Sequence, residues 1–102
     1  MIGRMWRGLA LPEKADDYEK HLQTSVLPEL RQIDGFEEVY LLRQNSAEGV
    51  EFIVLTLWES MEAIHKFAGE NAEVAVVAPA AQPLFREYDP TVEHFEVVLN
   101  AH

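Results

Sequence analysis

The run from Val50 to Ser60, VEFIVLTLWES, is apolar at both odd and even positions, the pattern of a central strand that water reaches on neither face. Such a strand needs a sheet around it and cover on two sides. If the chain supplies one layer of helices, the second cover comes from elsewhere, and another copy of the same chain is the economical source.

At 102 residues the chain makes one domain, able to bury roughly 65% of its unfolded surface without covalent staples. It has no cysteine, which excludes disulfides, thiolate metal ligands and thiol nucleophiles. Eight basic against 18 acidic residues give a formal net charge of -10, which repels phosphate backbones and anionic lipid. Nucleic acid and membrane are therefore not expected partners. The stretch Met1 to Leu11, with Arg4, Arg7, Gly3 and Gly8, reads as neither a signal region nor a membrane span, and a soluble cytoplasmic protein is the expectation.

Ile2 to Leu11 alternates loosely and predicts a first strand. Pro12 suits a helix start, and Ala15, Tyr18, Leu22, Val26 and Leu30 form the stripe of a helix running to about Ile33, with a kink predicted at Pro28. Gly35 closes it, and Phe36 to Arg43 is extended. Gln44 to Gly49 then reads as a polar loop, making a hairpin with the apolar strand. Ser60 is the predicted N-cap of a short helix carrying Met61, Ile64, Phe67 and Ala68 inward and ending at Gly69. From Glu70 to Pro90 there is no clean period, and prolines 79, 83 and 90 forbid a long element, so an ordered excursion with one short turn is expected. Thr91 to Leu99 alternates and predicts the last strand.

The order strand, helix, strand, strand, helix, strand predicts an α+β, ferredoxin-like βαββαβ domain: a four-stranded antiparallel sheet with both helices on one face. Both parities of the second and third strands are apolar, which predicts a homodimer through the bare sheet face. The five glycines are scattered, with no phosphate-cradling loop, nucleophile elbow or dinucleotide fingerprint, so ATP, NAD and serine hydrolase chemistry are not expected.

That architecture, together with LPELRQIDGF, TLWESMEAIHKFAG and EYDPTVEHFEVV, resembles the antibiotic biosynthesis monooxygenase family over nearly the whole chain. Its strongest local element is Trp58 followed by Glu59-Ser60 and a helix ending near Phe67, with His94 and Glu96 in support. The resemblance implies a dimeric α+β barrel with a ligand pocket between sheet and helices in each subunit. Members include oxygenases of polycyclic phenols that use no metal or flavin, haem-degrading enzymes, and proteins of no established activity. In the phenol oxygenases a deprotonated, electron-rich ring passes an electron to dioxygen while the pocket stabilises charge.

The function so implied is a cofactor-independent monooxygenase-like protein acting on a small aromatic or oxidisable metabolite, with no cofactor, haem not favoured, and no metal. Trp58 maps onto the family's pocket tryptophan. The family's strand asparagine has no counterpart, since Asn45, Asn71 and Asn100 read as loop or chain end, and the haem branch's helix histidine is not matched, because His65 lies nearer the tryptophan.

Each candidate has a plainer reading beside it. Trp58 stacks on a ligand or belongs to the core. His65 reaches a sheet-helix cavity or sits at the helix edge with its tip in water. His94 pairs with Glu96 to orient a general base, or the two form a polar cluster at the dimer interface. Arg4, sharing a strand face with Trp6, holds an anionic oxygen or pairs with an acidic residue at the sheet edge. Tyr40 offers its hydroxyl to a ligand or to the backbone, and His21 reads as solvated. The candidate catalytic groups are thus His65 and His94, and the candidate ligand contacts Trp58, Arg4, Tyr40 and Trp6. Two other functions fit the same scaffold: a non-catalytic, small-molecule-binding or stress-associated dimer, and a ring isomerase using His94 or His65 to move protons.

Overall fold

Apolar parity assembles the sheet, and the computed structural model, which describes residues 1–102, shows how. The strands are β1 (Ile2–Ala10), β2 (Phe36–Ser46), β3 (Gly49–Trp58), β4 (Phe85–Tyr88) and β5 (Glu93–Glu96). Their order is β2-β3-β1-β4, with β5 also on β1, and every pairing is antiparallel. The run that is apolar on both parities is β3, an inner strand between β1 and β2. The fold is α+β and ferredoxin-like.

The sheet has five strands rather than the four expected. The segment between Gly69 and Thr91 returns as β4 beside Gly8–Ala10, then Asp89-Pro90 interrupts pairing and the chain re-enters as β5 beside Ile2–Met5. The hairpin is also tighter than expected. Gln44, Asn45 and Ser46 belong to β2, pairing with Glu51, Val50 and Gly49, so Asn45 is a strand residue.

The first helical segment comprises a 3-10 turn (Pro12–Lys14), α1 (Ala15–His21), a π-helical stretch (Leu22–Val26) and α2 (Leu27–Leu30). The discontinuity predicted at Pro28 is therefore a widened turn before it. Pro28 has no N–H for the carbonyl of Thr24, and the Leu27 N–H reaches back five residues to the carbonyl of Leu22. Gly35 follows with φ +97°, where a Cβ would stand 2.5 Å from the Cβ of Ala63, so only glycine lets this loop pack on α3 (Met61–Ala68). Ser60 caps α3 as expected, its hydroxyl accepting from the Ala63 N–H at 3.2 Å.

Helices cover one sheet face. On β3 the even residues Val50, Phe52, Thr56 and Trp58 are buried beneath them, while Ile53 and Leu55 on the other parity stay half-exposed. One core cluster centres on Trp6, Tyr18, Phe52 and Phe85, and a second on Leu30, Trp58 and Ile64. No helix is long and apolar enough to cross a membrane.

Candidate functional site

Arg4 and Trp6 alternate inward on β1, opposite Thr56 and Val54 of β3, and this patch of sheet floors a cavity. Tyr18, His21 and Leu22 line it from the first helical segment, Phe67 from α3, and Val76 to Ala78 with Ala81 from the segment that follows. The cavity measures about 70 Å³. Of 15 lining residues 12 are hydrophobic, so Arg4, Thr56 and His21 supply its side-chain polarity apart from the Tyr18 and Trp6 tips.

Arg4 is 5% exposed. Its Nη1 donates to the carbonyl of Ala72 and to His94 Nε2 at 3.0 Å, its Nη2 donates to the carbonyl of Val74 at 3.1 Å, and its guanidinium lies 5.8 Å from the centre of the Phe67 ring. The expected edge pairing with a carboxylate does not form. The ion pairs are Arg7–Glu51, Arg43–Asp16 and Arg43–Glu19, all on exposed side chains. Burial pushes the Arg4 guanidinium down to about 10, still a cation at neutral pH.

His94 stands opposite Arg4 in the β1–β5 register and turns to it rather than to Glu96, which is exposed. The imidazole–carboxylate pair weighed from sequence is therefore absent. An arginine only donates, so His94 Nε2 accepts and the ring is neutral with its proton on Nδ1. Desolvation first, then the charge of Arg4, lowers the His94 pKa from its ordinary 6.5, with His65 adding a little and Glu73 opposing. The sign follows directly. Below pH 6.5 the unfolded chain takes a proton that the folded ring refuses, so stability is lost as the solution is acidified and is flat above that range. Urea midpoints measured from about pH 7.5 down to about pH 5.5 should fall in the wild type and fall less in His94→Gln.

The other candidates are scattered. Trp6 lines the cavity with its ring, its indole nitrogen spent on the Asp89 carbonyl at 2.8 Å. Trp58 does not line it. It is 0% exposed, donates to the Thr56 hydroxyl at 2.8 Å, stacks on Phe67 and meets Phe36 edge-on, so it backs two wall residues from the core. His65 is exposed at the end of α3, where Nδ1 donates to the Gly69 carbonyl at 2.8 Å, outside the cavity. Tyr40 lies on the opposite sheet face, 46% exposed, donating to Glu38 at 2.6 Å; that hydrogen bond raises its pKa.

Sequence reasoning missed Thr56, His21 and Phe67 as wall residues. Thr56 carried a signal: it is the one polar residue at the inward parity of β3. His21 precedes Leu22 of the helical stripe, and only the inward turn of the first helical segment distinguishes it from a solvated residue.

Residues 1–89 match the family model described as antibiotic biosynthesis monooxygenase. The chain belongs to the antibiotic biosynthesis monooxygenase family. No curated protein sequence matches it at a significant level. Among solved structures, a Caulobacter crescentus protein assigned to antibiotic biosynthesis monooxygenases is 25% identical, with 96% of this chain and 90% of that one covered and a TM-score of 0.72. The haem degrader MhuD of Mycobacterium tuberculosis, solved with two haems bound in its active site, is 25% identical over 100% of both chains, with a TM-score of 0.66. A Deinococcus radiodurans structure assigned to the same monooxygenases, 18% identical over 100% of this chain and 97% of that one with a TM-score of 0.70, shares the fold.

The MhuD structure corrects the expectation of no cofactor, because a protein this similar along its whole length holds haem. In the conformation described, the residues of this chain do not fit that group. A porphyrin is many times larger than the cavity of about 70 Å³, and His21 is the one imidazole on the wall, so no step through a porphyrin follows from these residues.

Proposed function

We propose that this protein is a monooxygenase of a small, oxidisable, mainly apolar molecule, bound in the cavity between β1, β3 and the helices. One observation carries the reading: a partly open, mainly apolar cavity whose floor holds a buried guanidinium beside a threonine. Membership of the family supports the reaction class.

Trp6, Tyr18 and Phe67 supply aromatic walls for a ring, and Val76 to Ala78 with Ala81 add apolar lining. Electron transfer from an electron-rich ring to dioxygen builds negative charge on oxygen. Arg4 is fixed before that charge appears, by its carbonyl and imidazole partners, so little reorganisation is needed as it develops; the Thr56 hydroxyl accepts from Trp58 and donates to the Arg4 carbonyl, which ties down the strand beneath it. For a ring CH2 oxidised to a carbonyl, dioxygen supplies the new oxygen and leaves its second atom as water. His65 and His94, the groups an isomerase reading relies on, are outside the cavity or engaged by Arg4.

The test is oxygen uptake with a panel of hydroquinone-type phenols. Uptake well above buffer autoxidation is expected for at least one member, with loss on Phe67→Ala or Trp6→Ala, which open or strip the wall. Uptake no faster than buffer across the whole panel sinks the oxygenase. The second reading, a dimer that binds a small molecule without turnover, would then be the one left.

We further propose that two copies pair through the sheet face that the helices leave bare. Tyr40, Leu42 and Phe95 are exposed there, and Met5, Leu9, Ile53 and Leu55 only partly covered.

A further inference from the structure

We propose that the cavity takes its ligand as an organic monoanion, with a carboxylate or phenolate oxygen held by Arg4. This deepens the proposed function by naming the substrate class, and it rests on the cavity being the ligand site. Guanidinium carries five N–H donors. Both on Nη1 and one of the two on Nη2 are used, by Ala72, His94 and Val74, which leaves Nε–H and one Nη2–H without a partner. No buried side-chain nitrogen or oxygen lacks a hydrogen bond, so the unbonded Nε is not sealed inside the protein, and the residue it belongs to forms the cavity floor.

The groups that Arg4 touches are formally neutral, and Glu73, near enough to act on His94, does not reach it. Two carbonyls, one imidazole and the face of Phe67 offer partial negative charge, but no carboxylate approaches within ion-pair distance, in a chain with 18 acidic residues to choose from. Buried charges are ordinarily paired, because the interior does not replace the solvation that water gave them. The lowered pKa of Arg4 has that cause and is the direction an absent counter-charge leaves uncorrected. An anion arriving with the ligand would supply the missing partner through two charge-assisted hydrogen bonds.

The same geometry limits what the anion is. Arg4 is the sole lysine or arginine among the lining residues, and 12 of the 15 are hydrophobic, so a single negative charge on an apolar body is matched and a phosphate is not. With a net charge of -10 the protein as a whole repels anions, which makes any anion preference a property of this one residue.

Binding decides the matter without turnover. Under argon, benzoate is compared with benzamide, and 4-nitrophenolate with 4-nitroanisole, by calorimetry and by the Arg4 Nε–H resonance. The anion of at least one pair should bind about tenfold tighter or more and shift that resonance while its neutral counterpart does not. The pair that shows the preference tells a carboxylate from a phenolate. Arg4→Gln should bring the ratio near unity, and Arg4→Lys should keep part of it. Equal binding within both pairs, or a preference that survives in folded Arg4→Gln, overturns the inference. Should Arg4→Gln fail to fold, because Arg4 also holds Ala72 and Val74, the wild-type ratio and the resonance still decide. Oxygen uptake without anion preference would fell this inference alone, and anion preference without uptake would fell only the oxygenase.

Discussion

Trp58→Ala is expected to cost about 3–5 kcal/mol of folding stability, a large part of the ~5–15 kcal/mol a domain this size possesses. The melting temperature should fall by more than about 12 °C. The indole is wholly enclosed, and no smaller side chain can fill its place. It anchors the second core cluster with Leu30, Ala63, Ile64 and Ala72, and its contacts with Phe36 and Phe67 tie the start of β2 and the end of α3 to the end of β3. Trp58→Phe retains a ring but leaves the Thr56 hydroxyl without its donor, and should cost about 1–3 kcal/mol. Thermal and urea unfolding measure both variants. Because Trp58 touches the wall only from behind, folded Trp58→Phe should bind the preferred anion within about threefold of wild type. A larger loss at unchanged structure would return Trp58 to the ligand.

The fold was legible wherever a local pattern had one physical outlet. A strand apolar on both parities must lie inside a sheet, and β3 does; a serine before a helical stripe must cap it, and Ser60 does. Pro28 announced a discontinuity, but its form, a π-helical widening upstream, depends on how the turn accommodates a missing donor. Strand β4 was hidden because Phe85–Tyr88 is held by pairing with β1 and not by any period of its own.

The site was less legible because long-range contacts make it. Arg4 looks like an edge residue until the chain between Gly69 and Pro90 folds over β1 and delivers the carbonyls of Ala72 and Val74. His94 and Glu96 do occupy the inward parity of β5, yet the partner of His94 comes from the neighbouring strand, a register that spacing along one strand does not encode. Trp58 lies behind Thr56 and Phe67 and not on the cavity wall, a depth that its place at a strand end does not encode. Tyr40 fell on the far face because β2 is apolar on both parities and offers no contrast to orient it.

Leu55→Asp is expected to turn a species of twice the 11.7 kDa chain mass into a monomer at micromolar concentration, as read by sedimentation. The register places Leu55 between Met5 and Tyr40 across the sheet, and Ile53 between Arg7 and Leu42 in the next row, so Leu55 lies at the centre of the apolar face. Tyr40 and Leu42 are 46% and 48% exposed, an extent of contiguous apolar surface that a lone domain seldom leaves in water. An aspartate there would be desolvated against a copy of itself, which costs far more than a rim charge would. Each chain carries a formal charge of -10, so the wild-type pair forms against mutual repulsion and should tighten as salt rises from about 0.02 M to about 0.5 M. A wild type that stays monomeric at about 10 µM in the higher salt removes the sheet-face dimer. The cavity is lined from the opposite parity, by Arg4, Trp6, Val54 and Thr56. Monomeric Leu55→Asp should therefore keep the anion preference of the wild type, because its altered side chain projects away from every residue that meets the ligand.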